Sequence, residues 1–252
     1  MHVSLKGQRI LVTGASRGIG RGIAEQLSIS GAELLLHYNR NEEEAKKLQD
    51  SLAGKSYLVP CDLSDLNAVK GWFRGLTETY GKIDAVVNNA GIAISIPDNA
   101  PTEEWTDAWL QTMNVNINAL AIITKEFVEH AIENQQGRVI NISSRAAFRG
   151  DTPDYLAYAA SKAAIVSYTR SIARYYGKSG IKAFIIAPGF TRTDMAQDFM
   201  DQYGEAYALN DIALKELTEP KDIAPMVTLL CSGLADHATG CTIDINAGSY
   251  VH

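Results

Sequence analysis

The sequence predicts an α/β fold, a parallel sheet covered by helices on both faces, and three features carry that prediction. Runs that read as strands alternate with runs that read as helices along nearly the whole chain, without a long linker or an internal repeat. Strands such as Ile83 to Val87 carry apolar residues toward both faces, as in strands buried on both sides. The first strand passes into the first helix through the glycine-rich stretch Gly14-Ala-Ser-Arg-Gly18-Ile-Gly20.

A chain of 252 residues and 27.4 kDa can bury roughly three quarters of its unfolded surface, so one domain over residues 1–252 is sufficient. Hydrophobic residues make up 46% and charged residues 21%, a balance without a disorder signature. Apolar runs are interrupted before about 18 residues, and the opening residues resemble neither a secretion signal nor a membrane anchor, so a cytoplasmic protein with no membrane partner is expected. A net charge of -6 without a basic track argues against a nucleic-acid partner. Cys61, Cys231 and Cys241 are odd in number and widely spaced, matching neither a disulfide framework nor zinc spacing; they read as small buried hydrophobes.

The first strand covers Gln8 to Thr13 and the first helix Arg21 to Ser30. Glycines between them permit a tight turn and close backbone approach, and leave helix-terminal amides for phosphate oxygens. Three residues separate the first two glycines, against one in the ordinary dinucleotide fingerprint. The second strand, Glu33 to Tyr38, leads into Asn39-Arg40-Asn41 and a charged helix, Glu42 to Ser51. A carboxylate at the end of this strand usually holds unphosphorylated ribose, whereas a 2'-phosphate needs positive charge. Tyr38 and Asn39 followed by Arg40, with Arg17 in the glycine loop, favour the phosphorylated cofactor; the other reading has both arginines merely solvated.

Ser56 to Pro60 makes a third strand, followed by Cys61-Asp62-Leu63 and a helix from Leu66 to Tyr80. Asp62 is placed to meet an adenine amino group, to cap the next helix, or both. A fourth strand, Ile83 to Asn88, runs into Asn89-Ala90-Gly91, whose small residues leave space for a flat ligand. Trp105 to Glu129 reads as one long helix or two joined ones, interrupted by Asn114, Asn116 and Asn118. Val139 to Ser143 is the fifth strand, with Ser144 just beyond it; Arg145 to Tyr155 is a loop; a helix carries Tyr158 and continues to about Tyr176. Ile181 to Ala187 forms the sixth strand, ending at Pro188-Gly189, and Thr242 to Asn246 the last, after a helix around Asp222 to Ser232.

Tyr158 and Lys162 lie four apart, so on a helix a phenol and an ammonium address one cleft. A fixed cation favours the phenolate of a group whose ordinary pKa is about 10, and such a tyrosine can protonate an alkoxide forming on a carbonyl. Spacing alone leaves a packed aromatic and a surface lysine as the other reading. His2, His37, His130, His237 and His252 form no recognisable serine-histidine-acid set, and Ser144 sits in no nucleophile elbow. Glu42 to Glu44, Asp194 and Asp198 have no metal-ligand spacing with histidines, so no metal is expected.

Thr13 to Gly20, Asn88-Asn89-Ala90-Gly91, Asn116, Ser144, Tyr158 with Lys162, and Pro188-Gly189 with Thr191 and Thr193 together resemble the short-chain dehydrogenase/reductase family, near its bacterial 3-ketoacyl-reductase-like branch. The resemblance spans essentially the whole chain. It implies a Rossmann-like doubly wound sheet of about seven strands, with NADP (NADPH) or NAD as cofactor. It further implies that Tyr158 is the general acid or base, that Lys162 holds the nicotinamide ribose, that Ser144 bonds the substrate oxygen and that Asn116 anchors a water toward Lys162. Cofactor contacts are implied at Thr13, Gly14, Ser16, Arg17, Gly18, Ile19, Gly20, Tyr38, Asn39, Arg40, Asp62, Leu63, Asn89, Ala90, Gly91, Tyr158, Lys162, Pro188, Gly189, Thr191 and Thr193. Members commonly form homodimers or homotetramers through the long helices.

The substrate side is less determined. Met195, Phe199, Met200, Tyr203, Tyr207 and Leu209 recur within 190–217, which the resemblance makes a substrate-covering lid; peripheral core contacts are the other reading. Phe148, Tyr155 and Ile96 are further pocket candidates. Where family reductases dock an acidic acyl carrier through arginines, this chain has Gln135 and Ser179, with Lys178 adjacent; Glu216 replaces a frequent arginine, and the Ser144 to Tyr158 loop is one residue longer. The expected activity is NADPH-dependent reduction of a small or medium-sized ketone, or the reverse alcohol oxidation. An NAD-dependent dehydrogenase of a secondary alcohol, sugar or steroid competes with it, as does a non-catalytic dinucleotide sensor or assembly subunit.

Overall fold

The computed structural model describes residues 3–97, 99–194 and 204–251. Seven strands form one sheet: β1 (Arg9–Val12), β2 (Glu33–Tyr38), β3 (Ser56–Pro60), β4 (Ala85–Asn88), β5 (Gly137–Ile142), β6 (Ile181–Pro188) and β7 (Thr242–Ile245). Their spatial order is β3-β2-β1-β4-β5-β6-β7, and all neighbours run parallel. The chain therefore steps outward from β1 to β3, returns to lay β4 on the other side of β1, and steps outward again. Connections leave β1 and β4 in opposite directions, so a crevice opens over the carboxyl ends of those two strands.

Strand residues alternate between two cores. Ile10, Val12, Leu34 and Leu36 face one side, where they meet Ile23 and Leu27 of α1 (Gly18–Ile29), Leu48 of α2 (Glu42–Ser51) and Ile223 and Val227 of the helix Pro220–Ser232. Leu11, Leu35 and Val86 face the other. There they meet Val69 of α3 (Leu66–Val69), Phe73 of α4 (Trp72–Tyr80), Phe127 from the helix Ala119–Glu133 and Ile172 from the helix Leu156–Tyr176. Burial on both faces is why these strands lack the polar alternation of a half-exposed sheet.

The helix expected from Leu66 to Tyr80 is two helices, because Gly71 between them adopts φ +78, a left-handed conformation that ends α3. The Trp105 to Glu129 stretch is α5 (Thr102–Met113) and α6 (Ala119–Glu133), joined by a π-helical turn at Asn114–Asn118. Such widened turns accommodate residues whose side chains bind elsewhere. The Arg145 to Tyr155 loop contains α7 (Ala146–Arg149) and a 3-10 turn at Pro153–Tyr155 before α8 (Leu156–Tyr176).

Beyond β6, an isolated bridge pairs Thr191 with Thr218, followed in sequence by α9 (Glu205–Asn210) inside that span and α10 (Pro220–Ser232) after it. Met195, Asp198, Phe199, Met200 and Tyr203 lie outside the described residues. Ala208 and Leu217 are buried and pack with Phe190 and Ile212. Burial pushes the Cys61 thiol up to about 11 and Cys231 up to about 12, leaving both as unreactive apolar fillers. Among the described residues, no helix is long and apolar enough to cross a membrane.

Candidate active site

A cavity of about 720 Å³ lies over the carboxyl ends of the central strands. Its walls include Arg17, Gly18, Ile19, Asn89, Gly91, Ser144, Tyr158, Lys162, Pro188, Gly189, Thr191 and Thr193 from the sequence-based set. Thus three stretches far apart in the chain, the glycine loop, the end of β4 and the start of α8, converge on one space.

The glycine loop is shaped by backbone approach. Gly14 and Gly18 have φ of +63 and +53, and a Cβ on Gly20 would stand 2.1 Å from the Gly14 carbonyl oxygen. Thr13 Oγ1 accepts the amides of Asn89 and Ala90, each at 3.0 Å, while Asn89 Nδ2 donates to the carbonyls of Thr13 (3.0 Å) and Gly14 (3.1 Å). The side chains of Thr13 and Asn89 are thereby occupied in joining β1 to β4. Arg17 stands at the N-cap of α1 without a side-chain cap, so the first amides of that helix need acceptors from outside it. Opposite, a Cβ on Gly18 would approach Thr193 Cγ2 to 3.2 Å, so the loop and the segment after β6 form the two jaws of this end of the cavity.

One residue that the sequence reading left unassigned supports the loop from beneath. His37 is a polar side chain in an otherwise apolar stretch of β2, and it is buried. The Gly14 amide donates to its Nδ1 at 2.9 Å, which makes Nε2 the protonated nitrogen, and that nitrogen donates to the Cys61 carbonyl at 3.0 Å. The ring also meets Trp72 edge-on at 5.2 Å. Burial is the main reason its pKa falls to about 4, against opposing contributions from the Cys61 carbonyl and Asp62. The signal was available as a lone buried histidine just before Tyr38.

At the ends of β2 and β3 the expectations need correction in two places. Asp62 does not cap the following helix; Asp65 does, accepting the amides of Asn67 and Ala68. Asp62 instead accepts the Ser64 amide (2.9 Å) and hydroxyl (2.7 Å) and the Asn39 amide (3.3 Å). The Ser64 bonds chiefly, with Arg40 contributing, hold its carboxyl below the ordinary range. Leu63 is buried in the second core, so its side chain is not presented to the crevice. Tyr38 is buried as well, leaving Asn39 and Arg40 as the exposed groups of this rim. Arg17 reaches Asp194 in an exposed ion pair at 3.5 Å.

Ser144, Tyr158 and Lys162 form one wall. Lys162 is buried; its Nζ donates to the Ile142 carbonyl at 2.9 Å and lies 5.6 Å from the Tyr158 ring centroid. Burial lowers its pKa to about 8. The acidified phenol expected from the Tyr158-Lys162 pairing is not what the protein groups alone produce. Burial raises the pKa of Tyr158, a hydrogen bond with Ser144 opposes this, Asp151 raises it further and Arg145 lowers it; the Lys162 charge, drawn toward Ile142, is not among the causes.

Asn116 is fully buried on the π turn. Its Oδ1 accepts the Ile92 amide at 2.8 Å, and its Nδ2 donates to the Ile92 carbonyl (2.9 Å) and Ser161 Oγ (3.0 Å). Both donors are used, so the side chain pins the segment after β4 to α8, and no amide hydrogen is left to hold a water. A Cβ on Gly91 would stand 3.3 Å from both Asn116 Oδ1 and Lys162 Nζ, which explains glycine at that position. Tyr155 lines the cavity, whereas Phe148 stacks with Tyr250 at 6.4 Å and is not part of its lining. Charged residues that the sequence reading placed in a loop, Arg145, Arg149 and Asp151, line the end beyond Ser144.

The comparisons with known proteins agree with this fold. A family model described as enoyl-(acyl carrier protein) reductase matches residues 14–250. The 3-oxoacyl-(acyl-carrier-protein) reductase FabG of Haemophilus influenzae is 32% identical over 98% of this chain and 100% of its own. A short chain dehydrogenase from Burkholderia cenocepacia, solved with NADP, superposes with a TM-score of 0.87 at 30% identity, covering 97% of this chain and 98% of that one. A 3-ketoacyl-(acyl-carrier-protein) reductase from Brucella melitensis, solved with NADH, gives 0.87 at 26% identity, covering 98% and 100%. The chain belongs to the short-chain dehydrogenase/reductase family, and as such is an NAD(P)-dependent oxidoreductase acting on a ketone or alcohol.

The His37 bridge makes stability depend on acid pH. A folded pKa near 4 against 6.5 unfolded means that the unfolded chain binds more protons in this window, so stability is complete above about 6.5 and is lost as pH falls toward 4. The loss is on the order of 3 kcal/mol from this group. Urea unfolding of the wild type and His37→Gln at a series of pH values from 7 to 4 reads it: the wild-type curve falls more steeply, and parallel curves contradict the assignment.

Proposed function

We propose that the protein is an NADPH-dependent ketoreductase, working reversibly on the corresponding secondary alcohol, with Tyr158 as general acid and base. The observation that carries this reading is the meeting of Ser144, Tyr158 and Lys162 on one wall of a cavity whose other end is the glycine loop. The cradle suits a dinucleotide: the glycine loop packs its backbone against Ala90 and Asn89 beside uncapped amides of α1, and Gly91 and Gly189 line the same cavity. Thr13, Gly14, Ser16, Gly18, Ile19 and Gly20 would hold the pyrophosphate region. Asn39, Arg40, Asp62 and the Leu63 backbone would lie along the adenosine, and Asn89, Ala90, Gly91, Lys162, Pro188, Gly189, Thr191 and Thr193 along the nicotinamide half. A bound nicotinamide supplies or takes the hydride.

The chain's own contribution is to the oxygen. Negative charge grows there as a carbonyl is reduced, and donors already aimed at that position lower the barrier without reorganising. Ser144 and Tyr158, together on one wall of the cavity, are those donors, and the Tyr158 hydroxyl passes its proton to the oxygen. Burial favours the protonated phenol, so the site is prepared as an acid. Lys162, with a pKa near 8, can carry a proton to replace the one given up. Asn116 acts through position, fixing the backbone against which Lys162 is set. Replacing Tyr158 by Phe is expected to lower kcat roughly a hundred- to ten-thousand-fold on a panel of ketones while NADPH still binds. Equal turnover removes Tyr158 from the chemistry, and a wild type inert on every ketone would favour the sensor reading.

Arg40 on the exposed rim and Arg17 at the N-cap of α1 support a 2'-phosphate. Arg17→Ala combined with Arg40→Ala should raise the KM for NADPH about tenfold or more and leave that for NADH nearly unchanged. If both nucleotides respond alike, the NAD-dependent alternative gains.

A small or medium-sized ketone is favoured over an acyl-carrier substrate, since Gln135 and Ser179 stand where a carrier-docking arginine is expected. We place the enzyme in the cytoplasm as a homotetramer. Support for assembly comes from the stacked Trp105 and Trp109 on α5, 5.2 Å apart, and from Leu110, Leu156 and Tyr175, exposed on α5 and α8. Light scattering on the purified protein reads a mass near four chains if this is right; a monomer at micromolar concentration contradicts it.

A further inference from the structure

We propose that the substrate carries an anionic group, a carboxylate in the first instance, which seats between Arg145 and Arg149 at the end of the cavity beyond Ser144. This rests on the ketoreductase reading and names its substrate class. Arg145 follows Ser144 directly, and its amide donates to the Pro188 carbonyl at 2.9 Å, so its backbone is fixed between the ends of β5 and β6. Arg149 comes four residues later on α7, one turn along the same face. Both line the cavity that holds Tyr158, and the charge of Arg145 acts on the phenol itself.

The two guanidinium groups converge on one carboxylate. Arg149 Nη1 donates to both carboxylate oxygens of Asp211, at 3.1 and 2.8 Å, and Arg145 Nη1 lies 2.5 Å from Oδ2 of the same residue. That contact is an ion pair, and Asp211 is the group that most favours the Arg145 charge. Two cations thus share one carboxylate. Asp151 is the other acid at this end, and its charge supports that of Arg145 less strongly than Asp211 does. Arg145, with a side chain only 9% exposed, also lays its guanidinium 4.4 Å over the Phe190 ring, which fixes its position at the wall. A substrate carboxylate would add a negative charge within reach of both guanidinium groups, and the planar forks of two arginines suit it.

Matched pairs of oxocarboxylic acids and their methyl esters, with a phosphorylated ketone as a third arm, test this with NADPH as reductant. The wild type is expected to prefer the acid over its ester by roughly ten- to a hundred-fold in kcat/KM. Arg149→Gln should lower that ratio through the KM for the acid, and Arg149→Lys should restore part of it. A merely structural role for Arg149 would depress acid and ester together and leave the ratio unchanged, which overturns the proposal, as does equal use of acid and ester by the wild type. Preference for the phosphorylated ketone over the carboxylate keeps the anion site and changes its ligand. Should no ketone be turned over, the ketoreductase reading fails separately. Calorimetric titration of the acid and the ester then decides the anion site: tighter binding of the acid that weakens in Arg149→Gln supports it, and equal or absent binding rejects it.

Discussion

The hydrogen bonds that tie the end of β1 to the end of β4 set where every other part of the site can stand. Parallel strands whose connections depart in opposite directions leave their terminal amides and carbonyls without neighbours from the sheet. Thr13 and Asn89 satisfy them across the gap, one as acceptor of two amides and the other as donor to two carbonyls. That exchange brings the backbone of Gly14 against Ala90 so closely that a Cβ on Gly14 would lie 3.0 Å from the Ala90 Cα. His37 then holds the same loop from the β2 side through the Gly14 amide. The loop is consequently fixed from two neighbouring strands, and the amides of α1 point into the crevice without a side chain having to place them.

Burial, more than pairing, governs the titrating groups behind this loop. His37, Tyr158 and Lys162 are each shifted toward their neutral forms chiefly because water is kept away. For His37 the neutral ring is the one that can both accept from Gly14 and donate to Cys61; a protonated ring would set a donor against a donor. For Tyr158 the neutral form is the proton donor that a forming alkoxide requires. The same physical cause therefore serves structure at one end of the crevice and acid chemistry at the other. Lys162 is the intermediate case, since a pKa near 8 leaves it cationic at neutral pH but able to release a proton.

Most of the fold was legible because local signals and burial agree. The second strand, the second helix and the third strand begin and end at the residues expected, since the strands are short runs rich in apolar residues and the helix between them starts at an Asn41 cap. Gly71 was not legible as a break, because a glycine inside a helical run often stays helical and only its φ of +78 decides the matter. Ser144, Tyr158 and Lys162 were found through spacing and family order. Arg145, Arg149 and Asp211 were not, since their association joins the end of β5 to residues about sixty positions away, and nothing local records it. Asn116 illustrates a third case: its position was expected, but the exhaustion of its amide hydrogens by Ile92 and Ser161 depends on contacts that spacing does not specify.

Net charge and site charge point in different directions, and the difference bears on what the enzyme selects. At -6 overall, the chain opposes approach of a large acidic partner at distances where surface charges still act together, within about one Debye length. Inside the cavity the field comes from a few groups in a low-dielectric wall, and there Arg17 stands at one end and Arg145 with Arg149 at the other. A small anion that has entered is governed by these near charges, whereas a protein carrier docking outside is governed by the total. On the proposed reading the arrangement would separate two kinds of acidic molecule by size, the surface opposing the macromolecule and the interior receiving the small one.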